Sequence, residues 1–570
     1  MKEHTHTRQR SSHSVMAIYS IALLTGLAPK GIVTADNGHL TDNDIMMKAL
    51  VTELERSMTE LVLGDLPKPY FIQYYAQDRL NFSITAAYGG LVQNDESRLR
   101  YALSRVRVGD LTLDNTNVGR DMGWRTVLPV DDDLTALRHA VWLMTDTDYK
   151  QAVETLARKK AYLRQRLVED RAEDFSPAPP LVEIERSAEV GFDRREWENH
   201  LAALSAQFKV HPAIQDAQVE FFAGAVNRWI VNSEGTRVRA GDYGIKIDLT
   251  ASIQADDGMV LSDSITYLAL TIDDLPPLEK MLADVDQLSQ KLVALSQAPV
   301  LEHYVGPALF DPVAAGHVFD AMLSDGLCAR PIPLGGNTAD DQSFEKKIGR
   351  RILPRTFDVY DDPTMPRWNG AVLAGAYSID DEGVKPQRVT LVENGILKTL
   401  VAGRSPTKKI KQSTGHARSS GFSDADASVG CLYITDSLGM SGEELKQELI
   451  DAARDEGLDF GLRVASLESG YAASLGNPIY AYKVFVEDGR EELIRGMEFL
   501  EVQPRVLKRI LAAGKEPKVY NAVDGGVSRS IIAPAILFEE LELTRIEEEF
   551  EKPPILKSPF VRGIAEDANP

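Results

Sequence analysis

Residues 360–421 read YDDPTMPRWNGAVLAGAYSIDDEGVKPQRVTLVENGILKTLVAGRSPTKKIKQSTGHARSSG, and this stretch decides the fold class. Acidic turn segments alternate in it with short apolar runs, with DDPT at 361–364, DDEG at 380–383 and ENG at 393–395. Clusters of Asp, Asn, Pro and Gly mark tight turns, and apolar alternation beside them marks strands. The stretch therefore predicts short strands joined by acidic turns, in a domain dominated by β-structure.

The order of these segments resembles the TldD/PmbA family, whose members are often labelled modulators of DNA gyrase. That family has DDPT, DDEG, VENGxL and STGxxR segments in succession, and all four occur here within residues 361–418. Strands at 482–496 and 533–541 resemble the family's C-terminal strands. The resemblance spans about 217–543 and implies an α+β fold. In that fold an N-terminal mixed α/β domain precedes a strand-dominated C-terminal domain of TldD/PmbA type.

The chain length indicates more than one domain, because 570 residues exceed what one hydrophobic core usually organises. We place the main boundary near Pro299, where a helical pattern gives way to apolar strand and turn residues. The predicted organisation is a leader at 1–35, an N-terminal α+β domain at 36–299, a mainly β domain at 300–560 and a tail at 561–570.

The N-terminus has the pattern of a secretory signal peptide. Lys2, Arg8 and Arg10 precede an apolar run at 15–28, and small residues follow up to Ala35. A basic region, an apolar core of this length and a small-residue cleavage site together describe such a peptide. Cleavage after Ala35 would send the mature chain to the periplasm or out of the cell. The alternative is a disordered extension containing a hydrophobic helix, on a cytoplasmic protein.

Hydrophobic periodicity predicts the elements of the N-terminal half. Apolar residues at spacings of three and four predict helices at 44–63, 149–168 and 275–296. Acidic residues at 131–133 mark a further helix start, because an apolar periodic segment begins at Leu134. Alternation of apolar and polar residues predicts strands at 70–75, 81–87, 99–108, 218–223, 228–232, 236–240 and 245–253.

Two local signals fix the position of a turn and of a helix. The segment NSEGT at 232–236 predicts a hairpin turn, because Asn and Gly tolerate the left-handed backbone that such turns require. In the second half, Ser441 and Glu444 form the pattern of a capping box, and Gly457 ends the apolar periodicity that follows. A helix is therefore expected between Ser441 and Gly457.

Composition excludes several classes of function. The formal net charge of −22 repels phosphate backbones and argues against direct nucleic-acid binding. No stretch reaches the roughly 18 apolar residues of a membrane span, so stable membrane insertion is not expected. Cys328 and Cys431 are too few for a disulfide framework or a Cys-rich zinc site. We expect two free, buried thiols, although one bridge between them stays open.

The resemblance directs attention to a metal site and to its loss. Catalytic members of the family carry HExxxH on a helix, where two imidazoles bind a divalent metal and the Glu activates water. The corresponding positions here hold Pro312, Val313 and His317. Without the first imidazole and the Glu, these residues predict a packed helix face, with Asp311 as its N-cap, Pro312 in its first turn and an ordinary helix histidine at 317.

A further ligand in the metal-binding relatives is a cysteine upstream of the final strand. Counting back from Pro534 places Tyr520 or Asn521 near that position, with no cysteine close in sequence. The resemblance therefore implies that this chain has no metal site and no catalytic residues of its own. It implies that zinc is bound only by a catalytic partner.

Residues Ser413, Thr414, Gly415 and His416 are the candidate peptide-binding segment. The corresponding segment borders the substrate cleft in relatives, and main-chain hydrogen bonds to an extended peptide need no titratable group. Adjacent residues on a strand point to opposite faces, which argues against a catalytic triad here. Turn-capping is the expected role of the carboxylates in the two acidic turns, over paired acid-base work. These carboxylates belong to Asp361, Asp362, Asp380 and Asp381.

Three functional hypotheses follow from the resemblance. The first is a non-catalytic subunit that forms a heteromer with a TldD-like metallopeptidase homologue and helps to form a channel for unfolded peptides, whereas a homodimer belongs to the third hypothesis. The second is a self-sufficient peptidase that uses His317, His416 or the carboxylates around Asp361. The third is a secreted binding or assembly protein on the same scaffold.

Overall fold

The computed structural model describes most of the chain after residue 43. The described ranges are 44–118, 125–166, 171–336, 343–420, 424–468, 475–500, 502–524, 526–547, 550–556 and 558–560. The predicted signal peptide at 1–35 and the tail at 561–570 lie outside these ranges.

The first half of the described chain holds four helices and seven strands. The helices are α1 (Ile45–Glu60), α2 (Leu134–Gln165), α3 (Arg194–Gln207) and α4 (Leu278–Gln297). The strands are β1 (Pro69–Ala87), β2 (Gly90–Val108), β3 (Thr126–Val127), β4 (Val182–Ile184), β5 (Asp216–Asn232), β6 (Arg237–Gln254) and β7 (Val260–Ala269).

These seven strands form one sheet in the order β3-β2-β1-β5-β6-β4, and β7 pairs with β6. The predicted strands at 70–75 and 81–87 are one strand of 19 residues, and the segments at 218–232 and 236–253 likewise form one strand each. The prediction divided these strands because polar residues lie between the apolar segments. Gln77 and Arg79 are buried on the sheet face away from α1 and α2, so their polarity is not a sign of a loop.

The four helices cover one face of this sheet in two groups. Side chains from α1 and α2 pack against one half of the long strands, and side chains from α3 and α4 pack against the other half. The predicted helix at 149–168 begins earlier, at Leu134, where the Asp133 carboxylate accepts a hydrogen bond from the Ala136 amide. The start expected after residues 131–133 is thus confirmed, and the two predictions describe one helix. Helix α3 was not predicted.

The second half holds α5 (Pro312–Phe319), α6 (Gly442–Asp455) and the remaining strands. The strands are β8 (His303–Phe310), β9 (Cys328–Ala329), β10 (Phe357–Asp361), β11 (Arg367–Trp368), β12 (Ala371–Val372), β13 (Val389–Glu393), β14 (Ile396–Leu397), β15 (Val401–Ala402), β16 (Ala417–Arg418), β17 (Asp426–Ala427), β18 (Cys431–Asp436), β19 (Phe460–Leu467), β20 (Pro478–Phe485), β21 (Glu491–Ile494), β22 (Met497–Phe499), β23 (Ile510–Ala513), β24 (Lys518–Asp524), β25 (Val527–Ala533) and β26 (Ile536–Arg545).

Two larger sheets organise this half around one hydrophobic core. One sheet has the order β14-β13-β10-β18-β25-β24, and the other has the order β21-β20-β19-β8-β26-β22, with β23 paired to β26. Helix α5 follows β8 directly and contributes its buried side chains to the shared core. The strand-dominated second half and the α+β class are therefore confirmed.

The local turn and cap predictions are confirmed. Asn232 and Gly235 form the turn between β5 and β6, where Gly235 has φ +107°. Ser441 and Glu444 form a reciprocal capping box at the start of α6, and Gly457 follows its end with φ +72°. Among the described residues, no helix is long and apolar enough to cross a membrane. Cys328 and Cys431 are both free and buried.

Candidate functional site

Helix α5 occupies the place where catalytic relatives are expected to carry their metal motif. Asp311 is its N-cap residue and Pro312 its first residue, as predicted. The Asp311 carboxylate, however, does not cap the helix, because it accepts a pair of hydrogen bonds from the Arg463 guanidinium at 3.0 and 2.8 Å. The start of α5 is thus tied to β19 by an ion pair between side chains.

The first turn of α5 presents no ligand group at the two motif positions. Pro312 has no polar side chain, and the Val313 side chain is 41% exposed. The prediction that Val313 belongs to the packed face is therefore wrong. Val313 lies on the side of α5 that faces away from the core, whereas Ala314, Ala315 and Val318 are buried.

His317 is buried, and its ring is stacked on the ring of Tyr520. The two ring centroids lie 5.1 Å apart with an interplanar angle of 8°, and His317 is only 5% exposed. Burial lowers the pKa of His317, and the nearby Asp320 carboxylate opposes that effect. Gly316 makes the close approach possible, since a Cβ there would lie 2.6 Å from the Tyr520 Cβ. The imidazole is therefore packed against an aromatic ring of β24.

The two positions considered for a cysteine ligand face opposite sides of β24, as expected for neighbours on a strand. Tyr520 faces α5. The Asn521 amide instead donates to the Val372 carbonyl at 3.0 Å and accepts from the Ala374 amide at 3.1 Å and the Ser530 hydroxyl at 2.6 Å. Asn521 thereby holds the segment after β12 against β25, and only position 520 faces His317.

The residues around α5 do not fit the zinc ion that a metallopeptidase site would hold. A catalytic zinc site needs three protein ligands with an open fourth position. Here one imidazole lies under a tyrosine ring, with a proline and a valine at the other two motif positions. Across the described ranges, no group of three or more His, Cys, Asp or Glu side chains is arranged to hold a metal ion.

The segment Ser413 to His416 is held by hydrogen bonds within the chain. The Thr414 amide donates to the Ala402 carbonyl at 3.0 Å, and the Thr414 hydroxyl accepts from the Ala402 amide at 2.8 Å. The Tyr377 hydroxyl donates to the Gly415 carbonyl at 3.0 Å. Gly415 has φ +75°, and a Cβ there would lie 2.3 Å from the Lys385 carbonyl oxygen. Ser413 and Thr414 are half-buried, whereas Gly415 and His416 are buried.

His416 forms a pair with Asp361 that the sequence did not indicate, since 55 residues separate them. Its Nε2 lies 3.1 Å from the Asp361 carboxylate, and both side chains have 0% exposure. The same carboxylate accepts hydrogen bonds from the backbone amides of Gly430 and Cys431 at 2.9 and 3.3 Å. The pair therefore ties the segment at 413–416 to β10 and β18, and neither group is open to a substrate.

The DDEG turn at 380–383 is buried and carries two different kinds of carboxylate. Asp380 caps its own turn by accepting hydrogen bonds from the amides of Glu382 and Val384 at 3.0 and 2.8 Å. Burial, with the charge of Glu382 as a second cause, raises the pKa of Asp380 to about 7. The turn-capping role predicted for Asp380 is confirmed, and Asp362 caps its own turn in the same way by accepting from Thr364.

Asp381 instead reaches the N-terminal sheet. Its carboxylate accepts from Arg228 of β5 at 2.8 Å and from the Ser419 amide at 2.8 Å. Arg228 also pairs with Asp242 of β6 at 2.8 Å, and all three side chains are at most 3% exposed. The turn-capping prediction for Asp381 is therefore wrong. A lone arginine within the apolar segment 226–231 was the signal that could have indicated a buried partner.

Glu382 and Arg404 continue this connection between the two halves. The Glu382 carboxylate accepts a hydrogen bond from the Arg404 amide at 2.6 Å. The Arg404 guanidinium donates to the Ser176 carbonyl at 3.0 Å and pairs with Glu234 at 2.7 Å. Because Arg404 is 1% exposed, these bonds satisfy a guanidinium that water does not reach. The DDEG turn and Arg404 thus belong to a buried polar junction in which the described carboxylates are bonded to partners of the chain.

The sequence comparisons agree with this architecture. The family model of the PmbA/TldA metallopeptidase C-terminal domain matches residues 303–545. A metalloprotease of Archaeoglobus fulgidus is 30% identical over 105 residues, which are 18% of this chain and only 23% of that protein. A metalloprotease of Methanothermobacter thermautotrophicus is 24% identical over 350 residues, which are 58% of this chain and 71% of that protein.

A solved structure extends the likeness over the fold of nearly the whole chain. TldE from Thermococcus kodakarensis superimposes with a TM-score of 0.57 at 14% identity, covering 88% of this chain and all of that one. Identity this low shows a common fold and nothing about activity. The match at 303–545 shows that this part of the chain belongs to the PmbA/TldD family as a metallopeptidase-related C-terminal domain, and the superposition shows that the chain shares the TldE fold.

Proposed function

We propose that this chain is a non-catalytic subunit that works with a metallopeptidase homologue and helps to form its channel for unfolded peptides. One observation carries the proposal, namely the replacement of the motif positions on α5 by Pro312 and Val313, with His317 stacked on Tyr520. A helix packed in this way supplies neither the ligands nor the general base of a metallopeptidase. Zinc would then belong to the catalytic partner.

The segment at 413–416 is our candidate peptide contact. Its main chain already has partners at Thr414 and Gly415, and the Ser413 and Thr414 hydroxyls are bonded to Ala402, so we place the contact at the accessible surface of these two half-buried side chains. Ala402 and Lys385 hold the backbone behind them in one conformation. A rigid wall of this kind supports a channel, because it lowers the conformational entropy lost when an extended peptide binds.

The decisive experiment measures metal content and casein-peptide hydrolysis on the purified mature chain, with and without a candidate partner that carries HExxxH. We expect no stoichiometric zinc and no hydrolysis from the chain alone, and hydrolysis when the partner is added. Affinity purification from the native extract should recover that partner. Zinc at one ion per chain, with hydrolysis by the chain alone, would overturn the proposal.

The self-sufficient peptidase has less support. It would use His416 or Asp361, but both side chains are fully buried and bonded to each other at 3.1 Å. His317 is buried against Tyr520 in the same manner. If the chain alone hydrolysed peptides, His416→Asn and His317→Asn would show whether either imidazole takes part.

The third candidate, a secreted binding or assembly protein, differs from the first in its partner and not in its chemistry. It predicts a homodimer without any copurifying HExxxH protein, whereas our proposal predicts a heteromer. Size-exclusion chromatography with light scattering on the native material separates the two. N-terminal sequencing of the same material tests the export that we propose, since a cleaved leader leaves a chain that begins at Asp36.

A further inference from the structure

A cavity of about 210 Å³ is lined in part by residues of two short 3₁₀ helices, Phe344–Lys347 and Pro504–Arg509. Its floor is apolar and includes Leu323, Phe344 and Ile352. Among the described residues that line it, five carry basic side chains and none carries a carboxylate. The five are Lys347, Arg350, Arg351, Arg505 and Lys508.

The local sequence explains why these cations converge. The 3₁₀ helix Pro504–Arg509 has three residues per turn, so Arg505 and Lys508 share one of its faces. The 3₁₀ helix Phe344–Lys347 brings Lys347 over its own aromatic neighbour, with the ammonium 3.5 Å from the centre of the Phe344 ring. The Arg350 amide bonds to the Lys347 carbonyl at 2.8 Å, which continues the turn and keeps Arg350 beside it.

An acidic residue two positions before Lys347 is directed elsewhere. Glu345 lies in the same 3₁₀ helix as Lys347, but its carboxylate accepts hydrogen bonds from the Thr407 hydroxyl at 2.8 Å and from the Lys409 amide. Within the part of the chain that the structure describes, none of the five cavity cations forms an ion pair. Arg509, one residue beyond Lys508, is paired with both Glu539 and Glu540 at 3.1 and 3.3 Å.

Five neighbouring cations with no ion pair among the described residues are unexpected on a chain with a net charge of −22, where carboxylates are in excess. Like charges held together repel each other, and this repulsion is visible at Lys347. Burial lowers the pKa of Lys347, and the positive charge of Lys508 lowers it further. A bound anion would remove this repulsion, because it would give the five cations a shared counter-charge.

We propose that this cavity binds a small organic phosphate ester, with the phosphate group among the basic side chains and an apolar portion on the floor. A phosphate monoester carries close to two negative charges and three strong acceptor oxygens at neutral pH, which suits several cations better than one carboxylate does. Guanidinium groups bind such oxygens in pairs. Phe344, Leu323 and Ile352 provide the contact for the apolar portion. The site is independent of the peptidase question, since no residue of α5 or of 413–416 lines it.

The test is isothermal titration of the full-length mature chain with phenyl phosphate at low ionic strength. Inorganic phosphate, phenol and a short Glu- and Phe-containing peptide serve as comparison probes. We expect one saturable site for phenyl phosphate, weaker binding of inorganic phosphate and none of phenol. Affinity should fall as sodium chloride is added, because exposed charges are screened.

Variants separate this cavity from general charge attraction. Arg350→Gln and Lys508→Gln should each weaken phenyl phosphate binding about tenfold or more, since each removes a charged hydrogen-bond donor. Arg509→Gln is the matched control and should bind as the wild type does, because its partners are Glu539 and Glu540. Arg350→Lys keeps the charge and should retain most of the affinity.

Three results would overturn the inference. They are the absence of saturable binding, equal loss in Arg509→Gln and Lys508→Gln, and tighter binding of the acidic peptide than of phenyl phosphate at the same residues. The last result would assign the cavity to an acidic protein segment. Unchanged unfolding temperatures of the variants confirm that any loss of binding reflects the exposed side chains and not the fold.

Discussion

Two regions of this protein correspond to motifs of the family, and they differ in whether polar side chains are present at the motif positions. Around α5 the three motif positions hold a proline in the first turn, an exposed valine and a histidine stacked on Tyr520. At the junction between the two halves, the acidic turns keep their carboxylates, and Asp381 binds Arg228 across the interface. The first region has one imidazole at the three motif positions, and the second has buried carboxylates paired with arginines.

The difference teaches what each motif is for. Exchanging a carboxylate that holds two halves of a fold together removes one partner of a buried ion pair, which costs several kcal/mol. A metal ligand has no such structural duty, so its loss removes activity and leaves the fold intact. The DDPT and DDEG turns therefore indicate the scaffold, whereas our proposal about catalysis depends on α5.

The largest expected effect comes from breaking the junction at Arg228. Arg228→Met leaves the Asp381 and Asp242 carboxylates buried without their shared partner, and both pairs are 2.8 Å long. We expect the free energy of unfolding in urea to fall by about 3–5 kcal/mol. The control is Arg490→Met, whose ion pairs with Asp488 and Glu492 lie at the surface. It should change stability by about 1 kcal/mol or less. Equal effects of the two substitutions would contradict a structural role of the junction.

The next effect tests whether α5 is as tightly packed as a core helix. Alanine at position 316 would place its Cβ 2.6 Å from the Tyr520 Cβ, so the strand and the helix must move apart. We expect Gly316→Ala to lower the free energy of unfolding by about 1–3 kcal/mol, although alanine favours helices. Gly442→Ala at the start of α6 is the control, since a Cβ there meets nothing within 4 Å. It should be neutral or stabilise by up to about 1 kcal/mol.

Sequence reasoning found the scaffold better than it found the junction. The NSEGT turn, the capping box at Ser441 and the cap at Asp133 were predictable because each depends on residues within a few positions of one another. The strand breaks predicted inside β1 were wrong, because polar residues such as Gln77 and Arg79 face a buried polar surface there. Periodicity cannot distinguish such a surface from solvent.

Pairings between residues far apart in the chain could not be predicted from the sequence. His416 meets Asp361 across 55 residues, and Arg228 meets Asp381 across 153. Nothing in the spacing of these residues encodes the contact, which depends on how the two halves pack. The loss of the motif on α5, by contrast, needed only the identity of residues 312 and 313. The stacking of His317 on Tyr520 then had to come from the structure.

A pH titration would sharpen the description of the junction. Burial and the charge of Glu382 raise the pKa of Asp380 from 3.8 to about 7, and burial also raises the pKa of Glu382. A raised folded-state pKa gives stability that is complete below about pH 4 and is lost as the pH rises towards 7, by at most about 1.4 kcal/mol per pH unit and group. Glu382→Gln removes the charge that Asp380 meets. The stability of this variant relative to the wild type should therefore increase between pH 4 and 7. Glu393→Gln, at an exposed carboxylate, should show no such trend.

The smallest change to the fold, and the sharpest test of the comparison, is to rebuild the motif on α5. Pro312→His with Val313→Glu restores HExxxH, and the exposure of Val313 leaves room for the new side chain. We expect this double variant to bind no stoichiometric zinc in equilibrium dialysis, because it has two imidazoles and no third ligand in place. Adding Tyr520→Cys replaces the ring that covers His317 with a thiolate on the same face of β24, and this triple variant should bind zinc.

The matched control for that result is Asn521→Cys in the same double variant. Position 521 faces β25 and the segment at 372–374, so its thiol would point away from His317 and should add no affinity. Zinc binding through position 520 alone would mean that the scaffold still holds the geometry of a metal site and has lost only the side chains. Zinc binding through position 521, or through neither, would mean that α5 and β24 have shifted relative to their catalytic relatives. In that case α5 and β24 would differ from a metal site in their backbone positions as well as in their side chains.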